Sequence, residues 1–411
     1  MDGSKHLIMI AHRIPYPPNK GDKIRSFNHI KYLYERGWHI HLCTHVDDSN
    51  DLQYKNELEK YCKTVTLHPI SKVFSLAAMG LNLIKGMPLS VSYFYSKTIQ
   101  KKVDELLNDY PVESVFCFSS PTAEYLFRSN CIQKQKPGCV MDLIDVDSLK
   151  WKQYAKQKSG LRSLIYCLEG KLLSKYEKKI INQFDAVILV SPDEVKALNS
   201  SIPNREIVHA IGNGVDLEFF KKKIAKHIKK RAGNITRLVF FGRMDYYPNE
   251  DAVIWFTKEV LPLIQKEADV LFCIVGACPS QKIISLSRDP FIEVTGEVDD
   301  IRPYVWDADI CVFPIRIARG IQNKILEAMS MGKAIVSSLQ AFEGIEAEPG
   351  KDLIAVDTEP EVFAKEVIDM CKNPERSEKL SLNAYDCVHR KYSWNSRLQP
   401  LDKLLTKRVD I

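Results

Sequence analysis

The segment Pro314-Ile-Arg-Ile-Ala-Arg-Gly-Ile-Gln-Asn-Lys-Ile-Leu-Glu-Ala-Met-Ser-Met-Gly332 gathers the side chains best suited to holding a phosphorylated ligand. It follows an apolar strand-like run, passes through Gly320 and reads on as a helix that Gly332 ends. A helix start offers unpaired backbone N–H groups and a partial positive charge, so Gly320, Ile321, Gln322, Asn323 and Lys324 form a phosphate seat. Lys324 adds a full charge, and Glu327 on the same helix offers a carboxylate that can accept hydrogen bonds from both hydroxyls of a ribose. A second group of residues is Leu238-Val-Phe-Phe-Gly-Arg-Met-Asp-Tyr-Tyr-Pro-Asn-Glu-Asp251. Here a strand ending at Gly242 delivers Arg243, whose guanidinium fork grips a diphosphate bidentately, and Asn249 reads as the cap of the next helix. In a third, His12-Arg-Ile-Pro-Tyr-Pro-Pro-Asn-Lys-Gly-Asp-Lys-Ile-Arg25, three prolines stiffen a loop before a helix expected over Ser26–Glu35. Gly21 lets that loop's backbone approach a ligand, but a single glycine makes neither a Walker loop nor a Gly-x-Gly-x-x-Gly fingerprint.

These loops need strands that end in the right places. One series of short apolar strands is expected at His6–Ala11, Trp38–Thr44, Thr64–His68, Ser114–Phe118, Cys139–Val146, Ala186–Ser191 and Ile207–Ala210. A second is expected at Arg237–Gly242, Val270–Gly276, Phe291–Thr295, Asp309–Pro314, Ala334–Ser338 and Leu353–Val356. Alternation with helix-length patterns predicts an α/β protein of two doubly wound parallel sheets. Ligands of such sheets bind beyond the strand carboxyl ends, here expected to face one another across a cleft. The expected division is a first domain over 1–220, a lysine-dense linker over 221–236, a second domain over 237–391, and a helix in 392–411 that crosses back to the first domain. The helix expected over Leu161–Phe184 carries Arg162, Lys171, Lys175, Lys178 and Lys179 beside Leu164, Ile165, Leu168, Leu172 and Leu173, a basic amphipathic pattern suited to an anionic membrane surface.

Composition narrows the classes. With 411 residues, 45% hydrophobic and 27% charged, the chain is an ordinary globular mixture, which excludes disordered, collagen-like and coiled-coil proteins. The longest apolar stretch, Phe74 to Ser96, is interrupted by Asn82, Lys85 and Pro88, so no membrane span is expected. The amino terminus reads as a first core strand, and a cytoplasmic location is expected. Eleven cysteines, scattered in apolar runs without a Cys-x2-Cys pair, speak against zinc and disulfides. Residues 1–231 hold 36 basic against 24 acidic side chains, which puts +12 there and −6 in the rest and implies an anionic partner. Nucleic acid is disfavoured, because the basic groups lack interleaved aromatics.

In order along the chain, the proline-rich loop with Gly21, Asn213-Gly-Val-Asp216, Phe241-Gly-Arg243, Val275-Gly276, Thr295-Gly-Glu-Val298 and Glu327-Ala-Met-x-x-Gly332 resemble the retaining GT-B glycosyltransferases of family 4 over nearly the whole chain. Within that family, Arg-Gly-Ile-Gln-Asn-Lys-x-Leu-Glu-Ala-Met and Asp145-Val-Asp-Ser-x-Lys-Trp151 are most similar to the sugar transferases associated with exosortase (PEP-CTERM) exopolysaccharide systems. The resemblance implies a GT-B fold of two Rossmann-like domains. It implies that Arg243 serves the diphosphate, Glu327 the ribose, the Gly320–Lys324 backbone the phosphate and donor sugar, Val298 the nucleobase surroundings and Gly21 the transferred sugar.

Three positions depart from the family pattern. Arg319 stands where the first acid of a carboxylate pair is usual, suggesting an acidic donor sugar or an extra phosphate contact. Asn249 stands where a lysine is usual, and Lys324 is expected to supply the missing charge. Asp145 stands where many members carry histidine and is expected to point at the acceptor or the sugar. Asp145-Val-Asp147 also has Asp-x-Asp spacing able to hold a divalent ion. Because the basic groups suffice to neutralise a leaving diphosphate, neither a metal nor another cofactor is expected, and Asp147 is expected to cap a helix beginning near Ser148.

The activity implied is transfer of a hexosyl unit from a nucleotide sugar donor to a hydroxyl of a glycan or lipid-diphosphate-linked acceptor, with Arg243, Lys324 and Asp145 at the reaction. It belongs to exopolysaccharide biosynthesis, at the inner face of the cytoplasmic membrane. A nucleotide-sugar 2-epimerase and a non-catalytic nucleotide-sugar-binding protein are the alternatives the same residues allow.

Overall fold

The run KHLIMIA becomes strand β1 (Lys5–Ala11) and is buried along all but its first residue, as a strand covered on both faces must be. The other strands of this sheet are β2 (Trp38–Val46), β3 (Thr64–Pro69), β4 (Val112–Phe118), β5 (Gly138–Ile144), β6 (Ala186–Leu189) and β7 (Val208–Ala210), of which the edge strands β3 and β7 are only partly buried. The strands pair in parallel in the order β3-β2-β1-β4-β5-β6-β7. A second parallel sheet is built from β8 (Thr236–Phe241), β9 (Val270–Val275), β10 (Ile292–Gly296), β11 (Ile310–Phe313), β12 (Ala334–Ser338) and β13 (Ile354–Val356), in the order β10-β9-β8-β11-β12-β13. Both orders reverse direction beside the first strand, between β1 and β4 and between β8 and β11. Each sheet thus has the switch point at which open α/β sheets bind ligands.

The computed structural model describes residues 5–71, 79–80, 82–84, 86–156, 159–199, 206–222, 235–318 and 321–406. The chain divides into one unit of Met1–Asn213 with Arg397–Ile411 and a second of Gly214–Ser396. The first unit packs Ile8, Ile10, Val115, Cys117, Met141 and Val187 from its strands against Val103, Leu107, Ile180 and Ile181 from its helices. The core of the second includes Phe240, Phe256, Phe272, Phe313 and Phe363, with the helices Pro360–Lys372 and Pro374–Lys391 contributing Val367, Ala384 and Val388.

The segment Gly214–Phe220 separates the expected boundary at 220 from the division at Asn213. It belongs with the second unit, where the Val215 N–H donates to the Tyr392 carbonyl and the Arg302 guanidinium lies 3.9 Å from the centre of the Phe219 ring. Of the expected linker, 223–234 lies outside the described residues, and Lys221 accepts a hydrogen bond from Trp306 Nε1. The last described helix, Trp394–Thr406, passes from Arg397 onward into the first unit, where Trp38 Nε1 donates to Asp402 Oδ1. Among the described residues, no helix is long and apolar enough to cross a membrane.

Two element boundaries differ from expectation for local reasons. The helix after β1 begins at Gly21 rather than Ser26, because Lys20 is extended and its carbonyl already accepts from the Ile24 N–H. β5 stops at Ile144 rather than Val146, because Ile144 turns into a positive φ of 71°.

Candidate functional site

The second sheet assembles the strongest cluster. Beyond β8 and β9 the chain continues through Gly242 and Gly276, with φ of 151° and 150°. Ladder bonding runs past the strand ends, the Gly242 N–H donating to the Val275 carbonyl and the Met244 N–H to the Ala277 carbonyl. A Cβ on Gly276 would lie 1.8 Å from the Gly242 oxygen, and one on Gly242 would lie 2.9 Å from Asn249 Nδ2 and 3.1 Å from Lys324 Nζ. Only glycine fits either place, and its absent side chain is what lets Lys324 and Asn249 close over the end of β8.

Asn249 is buried, and it does not cap its helix as expected. Pro248 takes a first-turn position that requires no N–H, so the helix starts earlier, at Tyr247, with Tyr246 as the cap residue. Asn249 then sits in the first turn, its Nδ2 donating to the Arg243 carbonyl at 2.7 Å and its Oδ1 accepting from Lys324 Nζ at 2.5 Å. The ammonium also lies 4.9 Å from the Phe240 ring centre.

Lys324 and Glu327 come from the helix Asn323–Ser330, whose apolar side buries Ile325, Leu326, Ala328 and Met329. This helix starts at Asn323 with Gln322 as cap residue, not at Gly320; Arg319 and Gly320 lie outside the described residues. Ile321 packs against the core, while Asn323 Oδ1 is buried without a hydrogen-bond partner, an acceptor that a ligand hydroxyl would satisfy. Burial draws the Lys324 amine down to about 8, an effect only partly opposed by Glu327. Burial likewise pushes the Glu327 carboxyl up to about 7 against the pull of Lys324.

The structure places the other expected residues less simply. The Arg243 backbone joins the cluster through Asn249, but its exposed guanidinium is held by Asp245, with Nε at 3.1 Å and Nη2 at 2.6 Å from the two carboxylate oxygens. Val298 follows the edge strand β10 and packs partly against the core. In the first unit, Gly21 is the exposed first residue of its helix, with open space where a Cβ would stand. Asp145 is ion-paired with Lys150. Asp147 does not cap the next helix. It is that helix's first residue and accepts from Ser120 Oγ at 3.0 Å, while Glu177 takes the Ser148 N–H. Among the described residues no group of three or more His, Cys, Asp or Glu side chains is arranged to hold a metal ion.

Several polar arrangements escaped the sequence reading. Arg25, fully buried, donates to Asp142 Oδ2 at 2.7 Å, to the Ile211 carbonyl at 2.8 Å and to Asn213 Oδ1 at 2.9 Å. The first residue of the Asn213-Gly-Val-Asp216 block therefore anchors a buried cation. His12 Nε2 lies 3.4 Å from Asp22 Oδ2, and Arg13 donates to the same oxygen at 3.2 Å. Burial would raise the Asp22 pKa, but His12 and Arg13 outweigh it and hold the carboxyl well below the usual carboxylate range. These residues stand in the quoted loop, but nothing local in the sequence pairs them. A cavity of about 370 Å³ lies on another face of the helix Tyr247–Trp255, lined by Tyr247, Glu250, Asp251 and Arg316. Its arginine is already bonded to Asp251, and neither Asn249 nor Lys324 reaches it, so the cluster at the switch point is the better candidate.

Residues 235–373 match the family model described as glycosyl transferases group 1. An uncharacterized 44.6 kDa protein in the cps region of Klebsiella pneumoniae is 23% identical over 403 residues, covering 94% of this chain and 96% of its own. Among solved structures, sucrose-phosphate synthase from Thermosynechococcus elongatus has a TM-score of 0.67 at 14% identity, covering 97% of this chain and 98% of its own. HepE of Anabaena, in complex with UDP, has a TM-score of 0.65 at 14% identity, covering 98% and 99%. The fold is GT-B, and the match to the group 1 glycosyl transferases model falls within the second unit.

Proposed function

We propose that the protein transfers a hexosyl unit from a nucleoside diphosphate sugar to an acceptor hydroxyl with retention of anomeric configuration. The observation that carries this reading is the convergence of Lys324, Asn249, Glu327 and the Gly242 backbone at the β8–β11 switch point. The Lys324 amine and the helix start at Asn323 meet the diphosphate, and Glu327 receives the ribose hydroxyls. Arg243 leaves Asp245 for the diphosphate, an inexpensive exchange because an exposed ion pair contributes little. As the glycosidic bond breaks, negative charge grows on the diphosphate and these groups stabilise it. Uridine diphosphate is the first donor nucleotide to try, since HepE was solved with it.

No side chain is assigned as a covalent nucleophile. The leaving phosphate takes the proton of the acceptor hydroxyl, and the chain's own contribution is positioning and electrostatic stabilisation. Asp145 is assigned to the acceptor. A role in exopolysaccharide biosynthesis, on a glycan or lipid-diphosphate-linked acceptor, is supported by the relative in a cps region and by the sequence resemblance. Neither metal nor other cofactor enters this reading.

The test is thermal-shift and turnover measurement with a panel of nucleoside diphosphates and their sugars, since a ligand of the native state raises its melting temperature. Each charge-assisted hydrogen bond contributes roughly 1.5–3 kcal/mol, so Glu327→Ala, Lys324→Met and Arg243→Ala should each weaken donor use at least about tenfold. Unchanged donor binding in all three variants, with the fold intact, would overturn the site.

A further inference from the structure

The helix Gly160–Gln183 is only partly what its sequence pattern promises. Of its expected apolar residues Leu173 is buried and Leu172 partly so, because the second half of the helix packs inward. The first two turns do not. Leu161 is 73% exposed, Leu164 68%, Ile165 41% and Leu168 41%, at the i, i+3, i+4, i+7 spacing that places them on one face. Tyr154, on the preceding helix Asp147–Lys156, is 48% exposed. It forms an aromatic group with Trp151 and Tyr166, with ring centres 5.1–6.5 Å apart. A contiguous apolar face of this kind marks a contact surface.

The charge around it has one sign. Between Asp147 and Glu169 the sequence carries no acid, while Lys152, Lys156, Lys158 and Arg162 fall there and Lys171, Lys175, Lys178 and Lys179 follow. The only two acids from 148 to 183 are turned inward. Glu169 accepts from the Leu89 and Ser90 N–H groups at 2.6 and 2.9 Å, and Glu177 from the Ser148 N–H and Oγ at 2.8 and 2.6 Å. Their burial leaves the outward surface of this helix pair cationic, with Arg162, Lys171, Lys175, Lys178 and Lys179 exposed beside the apolar face.

We infer that this face, centred on Leu161, Leu164, Ile165 and Leu168, seats the protein on an anionic lipid bilayer. Aliphatic side chains enter the boundary between headgroups and acyl chains, the Trp151–Tyr154–Tyr166 aromatics suit that depth, and the lysines meet the anionic headgroups. A second copy of the chain is a poorer occupant, because a twofold contact would bring two cationic rims together. Nucleic acid is poorer still, since its phosphates give leucine and isoleucine no apolar partner. The inference goes beyond the donor reading and does not depend on it.

The full chain is sedimented with phosphatidylcholine vesicles with and without phosphatidylglycerol. Binding is expected to the mixed vesicles, little to phosphatidylcholine alone, and to weaken from about 0.1 M to about 1 M salt as the Debye length shrinks from ~10 to ~3 Å. Leu164→Glu with Ile165→Glu should lower binding at least about tenfold while leaving the melting temperature unchanged, because both side chains are exposed. Arg162→Glu with Lys175→Glu should abolish the preference for phosphatidylglycerol. Failure of the wild-type chain to bind mixed vesicles, equal binding to both vesicle types, or undiminished binding by the Leu164/Ile165 variant overturns the inference. So does a dimer, seen by light scattering, that the Leu164/Ile165 variant dissociates while vesicles capture nothing. Donor-induced thermal shifts report on the nucleotide site separately, so the two readings fail independently.

Discussion

Lys324 and Glu327 titrate close to neutrality because one half-buried helix turn withholds water from both. A bound diphosphate favours the protonated amine, so donor affinity should fall as pH rises through about 8. Ribose hydroxyls favour the ionised carboxylate, so affinity should also fall as pH drops through about 7. Calorimetric titration of the donor across pH should show a maximum between these limits, and Lys324→Met should remove the alkaline limb alone. A flat profile would count against both roles. The Arg25–Asp142 pair makes a different prediction. Arg25→Ala leaves a carboxylate in the core without its counter-charge, and should cost about 3–5 kcal/mol in chemical denaturation. The two cases also differ in legibility. Lys324 and Glu327 could be picked from the sequence because their spacing on a helix after a strand sets their shared direction. Arg25 and Asp142 are 117 residues apart, and only the sheet order brings them together. Asp245, two residues from Arg243, was just as invisible, because neighbouring residues share a salt bridge only if their rotamers allow it.

The thirteen strands among the described residues were legible as elements, the central ones because a strand covered on both faces is apolar and such runs stand out between polar helices, though the edge strands β3 and β7 are only partly buried. The strand ends were less legible. β5 is cut short by a backbone turn at an isoleucine, which no propensity would nominate, and Asn249 looked like a cap until Pro248 moved the helix start. The ends matter because the β8 and β9 termini touch. Gly276→Ala should destabilise the second unit by roughly 3 kcal/mol or more, since its Cβ meets backbone rather than a side chain able to move. Gly296→Ala, at a φ of 69° with open space around it, should cost only about 1–2 kcal/mol. Denaturation curves of the two variants separate backbone collision from simple left-handed strain, and equal losses would show that the β8–β9 approach is not as close as described.

At the scale of the whole chain, the alternation of strands and helices made two doubly wound sheets legible, and both wind in the same order. The sign change in charge along the sequence has a structural counterpart. Basic side chains outnumber acidic ones in the first unit, and acidic ones outnumber basic in the second. What the sequence pattern left open was where one unit stops, because Gly214–Phe220 is too short to show by composition which core it joins. The helix ending at Thr406 is the clearest case of a distant segment completing a unit. Since Arg397–Thr406 joins the unit begun by β1, that half of the protein is missing a piece of its surface throughout most of translation. The ribosome must deliver the entire second unit before Asp402 can meet Trp38. The half made first is therefore finished last.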